Sequence, residues 1–180
     1  MVSNAVGQNR SAGGGFQNRS AGGGFQNRSA GGGFNDPNIT ERIVFTRRIA
    51  KVVKGGRHMR FNALVVVGDV EKGMVGAALG KAKAIPDAVR KGNAMAKRSM
   101  IKVPRRGSTI PQETSSKTGA SLVLIKPAPP GTGIIAAGVI RAVLDSAGIK
   151  DAVAKSLGSR NPINVVYSTL NALKLLPSIN

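Results

Sequence analysis

RFNALVVVGDVEKGMVGAALGKAKAIPDAVRKGNAMAKRSM, residues 60–100, places an apolar strand, a tight turn, a second strand and an amphipathic helix in direct succession. The Val-rich run at 64–67 belongs to the clearest strand of the chain, over 60–68. Gly68-Asp69 opens a turn that closes at Gly73, and 74–79 returns as another strand. Pro86 suits the first turn of a helix, where its missing N–H would have no partner anyway. Along that helix Ile85, Ala88, Val89, Gly92, Met95, Ala96 and Met100 recur at helical spacing and are expected to form the buried face. Arg90/Lys91 and Lys97/Arg98 lie opposite and seven residues apart, with Lys83 one heptad earlier; seven residues advance a helix by about 10 Å. Asp87 can offset one of the first pair, whereas Lys97 and Arg98 have no acid three or four residues away.

Towards the N-terminus, 42–53 mixes β-branched and basic residues and reads as a preceding strand. Lys54-Gly55-Gly56-Arg57 breaks it, because glycine reaches backbone angles closed to a continuing strand. Three strands and a helix, with cations on helix and loops, give an α+β domain over 39–104 that resembles double-stranded-RNA-binding folds. Before it, QNRSAGGGF occurs three times in tandem from Gln8, Gln17 and Gln26. Such a unit cannot offset its ordering entropy by burying one Phe, so 1–38 is expected to be a disordered Gly-rich tail.

Towards the C-terminus, 105–180 reads as a second α+β sandwich domain with helices on one face of a sheet. A strand at 121–126 leads into Pro127-Ala128-Pro129-Pro130-Gly131-Thr132-Gly133, and a helix is expected over 135–147. Arg141 and Asp145 are four apart on it and are expected to pair. Gly148 ends that helix, a strand follows at 151–157, and Asn161-Pro162 caps a last helix with Ile163, Val166, Leu170 and Leu173 inward.

Charge gives the strongest functional signal. Residues 41–106 hold 17 Lys and Arg against Glu41, Asp69, Glu71 and Asp87, which is 13 of the chain's +19 charges. That much cation cannot be buried cheaply, and on the surface it repels itself unless a polyanion lies against it. A nucleic-acid backbone is the natural polyanion. The candidate RNA contacts are Arg47, Arg48, Lys51, Lys54, Gly55, Gly56, Arg57, Arg60, Lys81, Lys83, Arg90, Lys91, Lys97, Arg98, Arg105 and Arg106. Pro130-Gly131-Thr132-Gly133, ahead of a helix, offers either a phosphate seat on free amides or a structural turn; Gly131, Thr132 and Gly133 join the candidates on the first reading.

Other chemistry is poorly supplied. The chain has no cysteine, so disulfides, thiolate metal sites and a Cys nucleophile are excluded. The longest apolar runs are too short to span a bilayer, and no secretory h-region opens the chain. Gly76-x-x-x-Gly80-Lys81 resembles a P-loop but is one residue short, with Ala82 where Ser or Thr would hold magnesium. His58 sits between Arg57 and Arg60, suited to RNA contact rather than proton transfer, and the carboxylates form no evident dyad. No cofactor, metal, membrane or small-molecule substrate is expected.

Lys54-Gly55-Gly56-Arg57, Phe61-x-Ala63-x-x-Val66-Val67-Gly68-Asp69, Gly73-x-Val75-Gly76 and Gly80-Lys81-Ala82 together resemble the defining segment of bacterial small-subunit ribosomal protein five. Gly131-Thr132-Gly133-Ile134-Ile135-Ala136, Arg141-Ala142-Val143-Leu144, Ala154-Lys155, Gly158-Ser159 and Asn161-Pro162-Ile163-Asn164-Val165-Val166 are similar to that family's second domain. The resemblance implies a left-handed βαβ crossover in the second domain and a cytoplasmic place in the small (30S) ribosomal subunit. It implies partners too: small-subunit rRNA, small-subunit proteins four and eight, and mRNA near its path into the subunit. It further implies a role in decoding accuracy and in holding the head against the body. By it the loop 51–57 approaches head rRNA near the spectinomycin site, and Gly133 and Arg141 face protein four. Ala84, Gln112 and Arg60 depart from the family's usual residues, and the repeat tail lies outside its pattern. On the charge pattern alone, a free double-stranded-RNA-binding regulator or RNA chaperone stands beside this reading. A small-molecule kinase, suggested by the Gly-rich turn, lacks the metal-holding residues.

Overall fold

In the computed structural model, residues 38–177 are described. The disorder expected of 1–38 falls outside them but for Asn38. The order is β1 (Ile39–Val53), β2 (Gly56–Asp69), β3 (Met74–Ala82), α1 (Ile85–Arg98) and β4 (Ile101–Lys102). Then come β5 (Thr114–Thr118), β6 (Ser121–Pro127), β7 (Ile134–Ile135), α2 (Gly138–Ser146), β8 (Ala152–Gly158) and α3 (Pro162–Lys174). β1 to β4 form one antiparallel sheet in chain order, and the second sheet runs β5-β6-β8-β7. β7 and β8 are parallel neighbours joined through α2, so the βαβ crossover is present. The α+β reading holds for both halves.

Side chains alternate across a strand, so β2 can bury both faces only if both are covered. Its odd residues Ala63, Val65 and Val67 pack with Ala88 and Ala96 of α1. Its even residues Leu64 and Val66 join Val123, Ile140, Leu144, Val166 and Leu173 in a larger core shared with the second half. The Val-rich run therefore reads as continuously apolar because it is sandwiched.

Glycines set the distance between α1 and its sheet. A Cβ on Gly80 would run into the Ala88 carbonyl, and one on Gly76 into the Ala96 carbonyl. Four strand residues rise about 13 Å and eight helix residues about 12 Å, so the two glycines match the helix repeat. That match accounts for the Gly76-x-x-x-Gly80 spacing: it seats a helix, not a phosphate. Because the contact is narrow, only Ala88, Gly92 and Ala96 are fully buried along α1. Ile85 and Met95, expected inside, are 43% and 53% exposed at its margins. Gly80→Val is expected to cost about 3 kcal/mol and lower Tm by about 10 °C. Gly138→Ala, with open space around the site, should leave the melt unchanged or raise it slightly.

The second half corrects one expected boundary. The helix predicted from 135 begins at Gly138, because Ile134 and Ile135 pair with Ala152 and Val153 as β7. Asn161 caps α3 as expected, its side-chain oxygen accepting from the Ile163 amide. Along α3 the buried polar groups are satisfied: Ser168 Oγ donates to the Ser116 and Ser121 carbonyls, and Thr114 Oγ1 donates to the Ala172 carbonyl.

Candidate nucleic-acid interface

β1 and β2 stay paired out to Val53 and Gly56, but β3 leaves the sheet at Ala82, opposite Phe61. Residues 49–53 and 56–60 therefore continue alone as a two-stranded ribbon, which projects about 17 Å at the usual rise. Lys54 and Gly55 form its turn, and Gly55 takes φ 87°, the angle a type II turn requires at that position. Between Arg47 and Arg60 the ribbon and its base hold six Lys and Arg and no acid. None of the six has an ion-pair partner among the described residues.

Alternation sorts these cations onto two faces. Arg47, Lys51, His58 and Arg60 share the face of Leu64 and Val66, and Lys81 joins them in register through Asn62. The Asn62 side-chain oxygen is buried there without a hydrogen-bond partner among the described residues. Arg47 lies 5.2 Å from the Phe45 ring centroid, a cation–π distance that holds its stem against the sheet. Arg48 and Arg57 share the α1 face with Met59 and the 74%-exposed Val52. Lys54 occupies the tip. The ribbon is thus ringed by positive charge.

On α1, Lys91 and Arg98 are exposed, and Lys83 stands exposed just ahead of the helix. Arg90 reaches Asp87 at 4.0 Å with its side chain 82% exposed, so water screens that pair. Lys97 needs correction. Its ammonium lies 3.1 Å from Glu41 of β1, whose other oxygen accepts from the Asn93 amide. A tertiary partner replaces the helical one that the sequence lacked, and Lys97 ties α1 to the sheet edge.

Arg105 is also reassigned. Its guanidinium donates to the Val70 carbonyl at 2.8 Å, the Glu71 carbonyl at 3.0 Å and the Gly148 carbonyl at 3.4 Å. These bonds clamp the β2–β3 turn to the end of α2 and occupy three of the five guanidinium donors. Arg106, one residue on, is exposed and holds no ion pair among the described residues.

The phosphate seat at Gly131-Thr132-Gly133 is not open. The Gly131 and Gly133 amides donate to the buried Asp151 carboxylate at 3.0 Å and 2.9 Å. Thr132 Oγ1 turns back to the Pro129 carbonyl, and α2 starts only at Gly138. The structural turn is the reading that fits. The Ser108 hydroxyl, with the two glycine amides, holds the Asp151 carboxyl below the usual carboxylate range against the opposing effect of burial. Asp69 is lowered as well, chiefly by the Lys72 amide, in the turn between β2 and β3.

Both carboxylates thus have folded-state values below their unfolded ones. Their stabilisation is complete above about pH 4 and is lost as pH falls through the folded values. Thermal melts should be flat from about pH 7 to 5 and drop below about pH 4. Asp151→Asn should lower Tm at neutral pH and flatten that acid limb. An unchanged acid limb would show that the carboxylate does not hold the turn.

Arg141 does not pair with Asp145. Asp145 instead accepts from Arg42 of β1 at 2.9 Å, joining the two halves across the shared core. Arg141 stays exposed and lines a shallow groove of ≈ 340 Å³ with Val70, Gly133 and Lys150. No helix among the described residues is long and apolar enough to cross a membrane.

Two family models match the chain. Ribosomal protein S5, N-terminal domain, covers residues 39–104, and Ribosomal protein S5, C-terminal domain, covers 116–180. The first takes in the ribbon, its sheet and α1, and the second takes in β6 to α3 with the Asp151-braced turn. With both domains matched in order over most of its length, the chain belongs to the ribosomal protein S5 family, structural proteins of the small ribosomal subunit.

Proposed function

We propose that the protein is a non-catalytic constituent of the small subunit that binds its rRNA chiefly through the projecting ribbon. The carrying observation is an acid-free, fully paired hairpin standing clear of the core with Lys51, Lys54, Arg57 and Arg60 along it. A two-stranded ribbon is marginal alone in water, and backbone phosphates against its cations would hold it in place. Gly55 and Gly56, without side chains, let a phosphate approach the turn closely. Arg47, Arg48 and Lys81 extend the contact at the base of the ribbon. Lys83, Arg90, Lys91, Arg98 and Arg106 supply further phosphate contacts from α1 and its flanks.

In this reading the second half makes protein contacts. Gly133 and Arg141, beside the shallow groove, face protein four, and protein eight is a further neighbour. Bridging rRNA and proteins in this way would steady the head against the body and bear on decoding accuracy and on mRNA near its path into the subunit. A rigid shared core, with Arg105 and the Arg42–Asp145 pair locking the halves, suits such a bridge. The test is sedimentation of the purified chain with small subunits at moderate salt. Stoichiometric comigration is expected; persistence in the free fraction, bound to arbitrary duplex RNA, would favour a free RNA-binding regulator instead.

A further inference from the structure

α3 has a face that neither the shared core nor the ribbon contact uses. Its inner side buries Val165, Val166, Leu170, Ala172 and Leu173. The other side carries Asn164, Tyr167, Asn171 and Lys174, with Arg160 exposed just ahead of the Asn161 cap. At about 100° per residue, positions 164, 167, 171 and 174 fall within about 80° of arc and run about 15 Å along the helix. Tyr167 is 36% exposed and is the one exposed aromatic ring among the described residues, Phe45 and Phe61 being half-buried. An amide stands about one turn to either side of it. Asn171 Nδ2 donates to Thr118 Oγ1 at 3.2 Å, and the Asn164 amide lies over Gly119, where an added Cβ would come within 3.1 Å of it. Arg160 and Lys174 have no ion-pair partner among the described residues. The sequence holds no Asp or Glu after Asp151.

We infer that this stripe holds a stretch of unpaired RNA in the small subunit, with one base stacked on the Tyr167 ring. A solvated helix face ordinarily sets Glu or Asp three or four residues from Lys or Arg. The stripe has instead a ring, two amides and a cation at each end. A ring stacks on any base, the amides suit base edges and 2′-hydroxyls, and the end cations neutralise phosphates on either side. A duplex fits poorly, because its bases are already stacked on each other and offer the ring only sugar and phosphate. A protein partner fits no better: Leu175, 64% exposed at the helix end, is the one exposed aliphatic side chain there, and an interface needs an apolar centre.

The inference rests on the ribosomal reading, and the test separates the two. Subunits assembled with the full chain are irradiated at short wavelength, and their tryptic peptides are searched for attached nucleotides. Cleavage after Arg160 and Lys174 isolates 161–174, in which Tyr167 is the one aromatic residue. Failure of the chain to enter subunits would bring down the ribosomal reading and this inference with it. In assembled subunits a nucleotide attached to Tyr167 is expected. Its presence without mRNA assigns the strand to rRNA, and its presence only with mRNA bound assigns it to mRNA; either supports the inference. Tyr167→Leu should raise the reactivity of that nucleotide towards a base-alkylating probe about fivefold, whereas Tyr167→Phe should leave it at the parent level. Tyr167 is exposed, so melts of both variants should match the parent. Nucleotides on other peptides of the chain with none on 161–174 would overturn the inference and leave the ribosomal reading standing. Unchanged reactivity in Tyr167→Leu subunits would overturn it as well.

Discussion

Replacing Arg57 and Arg60 by Glu is expected to weaken binding to folded small-subunit rRNA about a hundredfold near 0.1 M salt. The slope of log affinity against log salt should fall by about two, one for each lost phosphate contact. Arg57 and Arg60 lie on opposite faces of the ribbon and are both exposed, with no ion-pair partner among the described residues. Reversing them therefore breaks no bond within the fold, and Tm should stay within a degree or two of the parent. Each Glu also adds repulsion from any phosphate that stays nearby, so the loss exceeds that of simple neutralisation. Filter binding to a small-subunit rRNA fragment across a salt series reads both quantities. An unchanged slope would remove the ribbon from the interface and leave α1 as its main cationic surface.

The turn of the ribbon was legible because Gly55 and Gly56 break the first strand locally, but its second arm was not. Arg57, His58 and Met59 were not read as strand, and they are held in β2 by pairing with 50–52. Length and exposure were not legible, because they depend on where β3 leaves β2, a pairing partner lying beyond Gly73. The last cap shows the same rule: Asn161-Pro162 acts on its own next turn, and the structure keeps it.

What failed was non-local. Ile135 reads as the start of a helix in isolation and, with Ile134, becomes β7 only because Ala152 and Val153 lie alongside. β5, with Ser115, Ser116 and Lys117 at its centre, has little strand propensity and exists through its pairing with β6. Lys97 looked unpaired because Glu41 is on another strand, and Arg105 looked free because its three acceptors are carbonyls. Carbonyl acceptors leave no trace in composition. The Gly131 and Gly133 amides likewise pointed to an anion, and they do bind one, but it is the chain's own Asp151. The signal that could have found it was a lone acid at the start of a strand, directly after a turn.

Residues 38–104 expressed without the rest are expected not to fold, although that segment matches a family domain by itself. Leu64, Val66, Val75 and Ala77 on its sheet are at most 4% exposed, and they are buried in a core otherwise built by the second half. Cutting there returns those side chains to water, together with most of Phe45 and Leu79, which pack against the same core. Re-exposing Leu64, Val66 and Val75 alone forfeits about 5–8 kcal/mol at the usual value per buried aliphatic side chain. A whole small domain has about 5–15 kcal/mol in hand, so the loss is of the same size as its stability. α1 would still cover the other face, but it does so through Ala88, Gly92 and Ala96, which bury little area. The cut also removes Arg105 and Asp145, and with them the clamp on the β2–β3 turn and the partner of Arg42. Circular dichroism should show no cooperative melt, and amide exchange in β2 should be fast, whereas in the full chain β2 should be the slowest-exchanging strand. A cooperative melt of 38–104 near the parent Tm would mean that α1 and its sheet suffice, and that the shared core couples two halves able to stand apart.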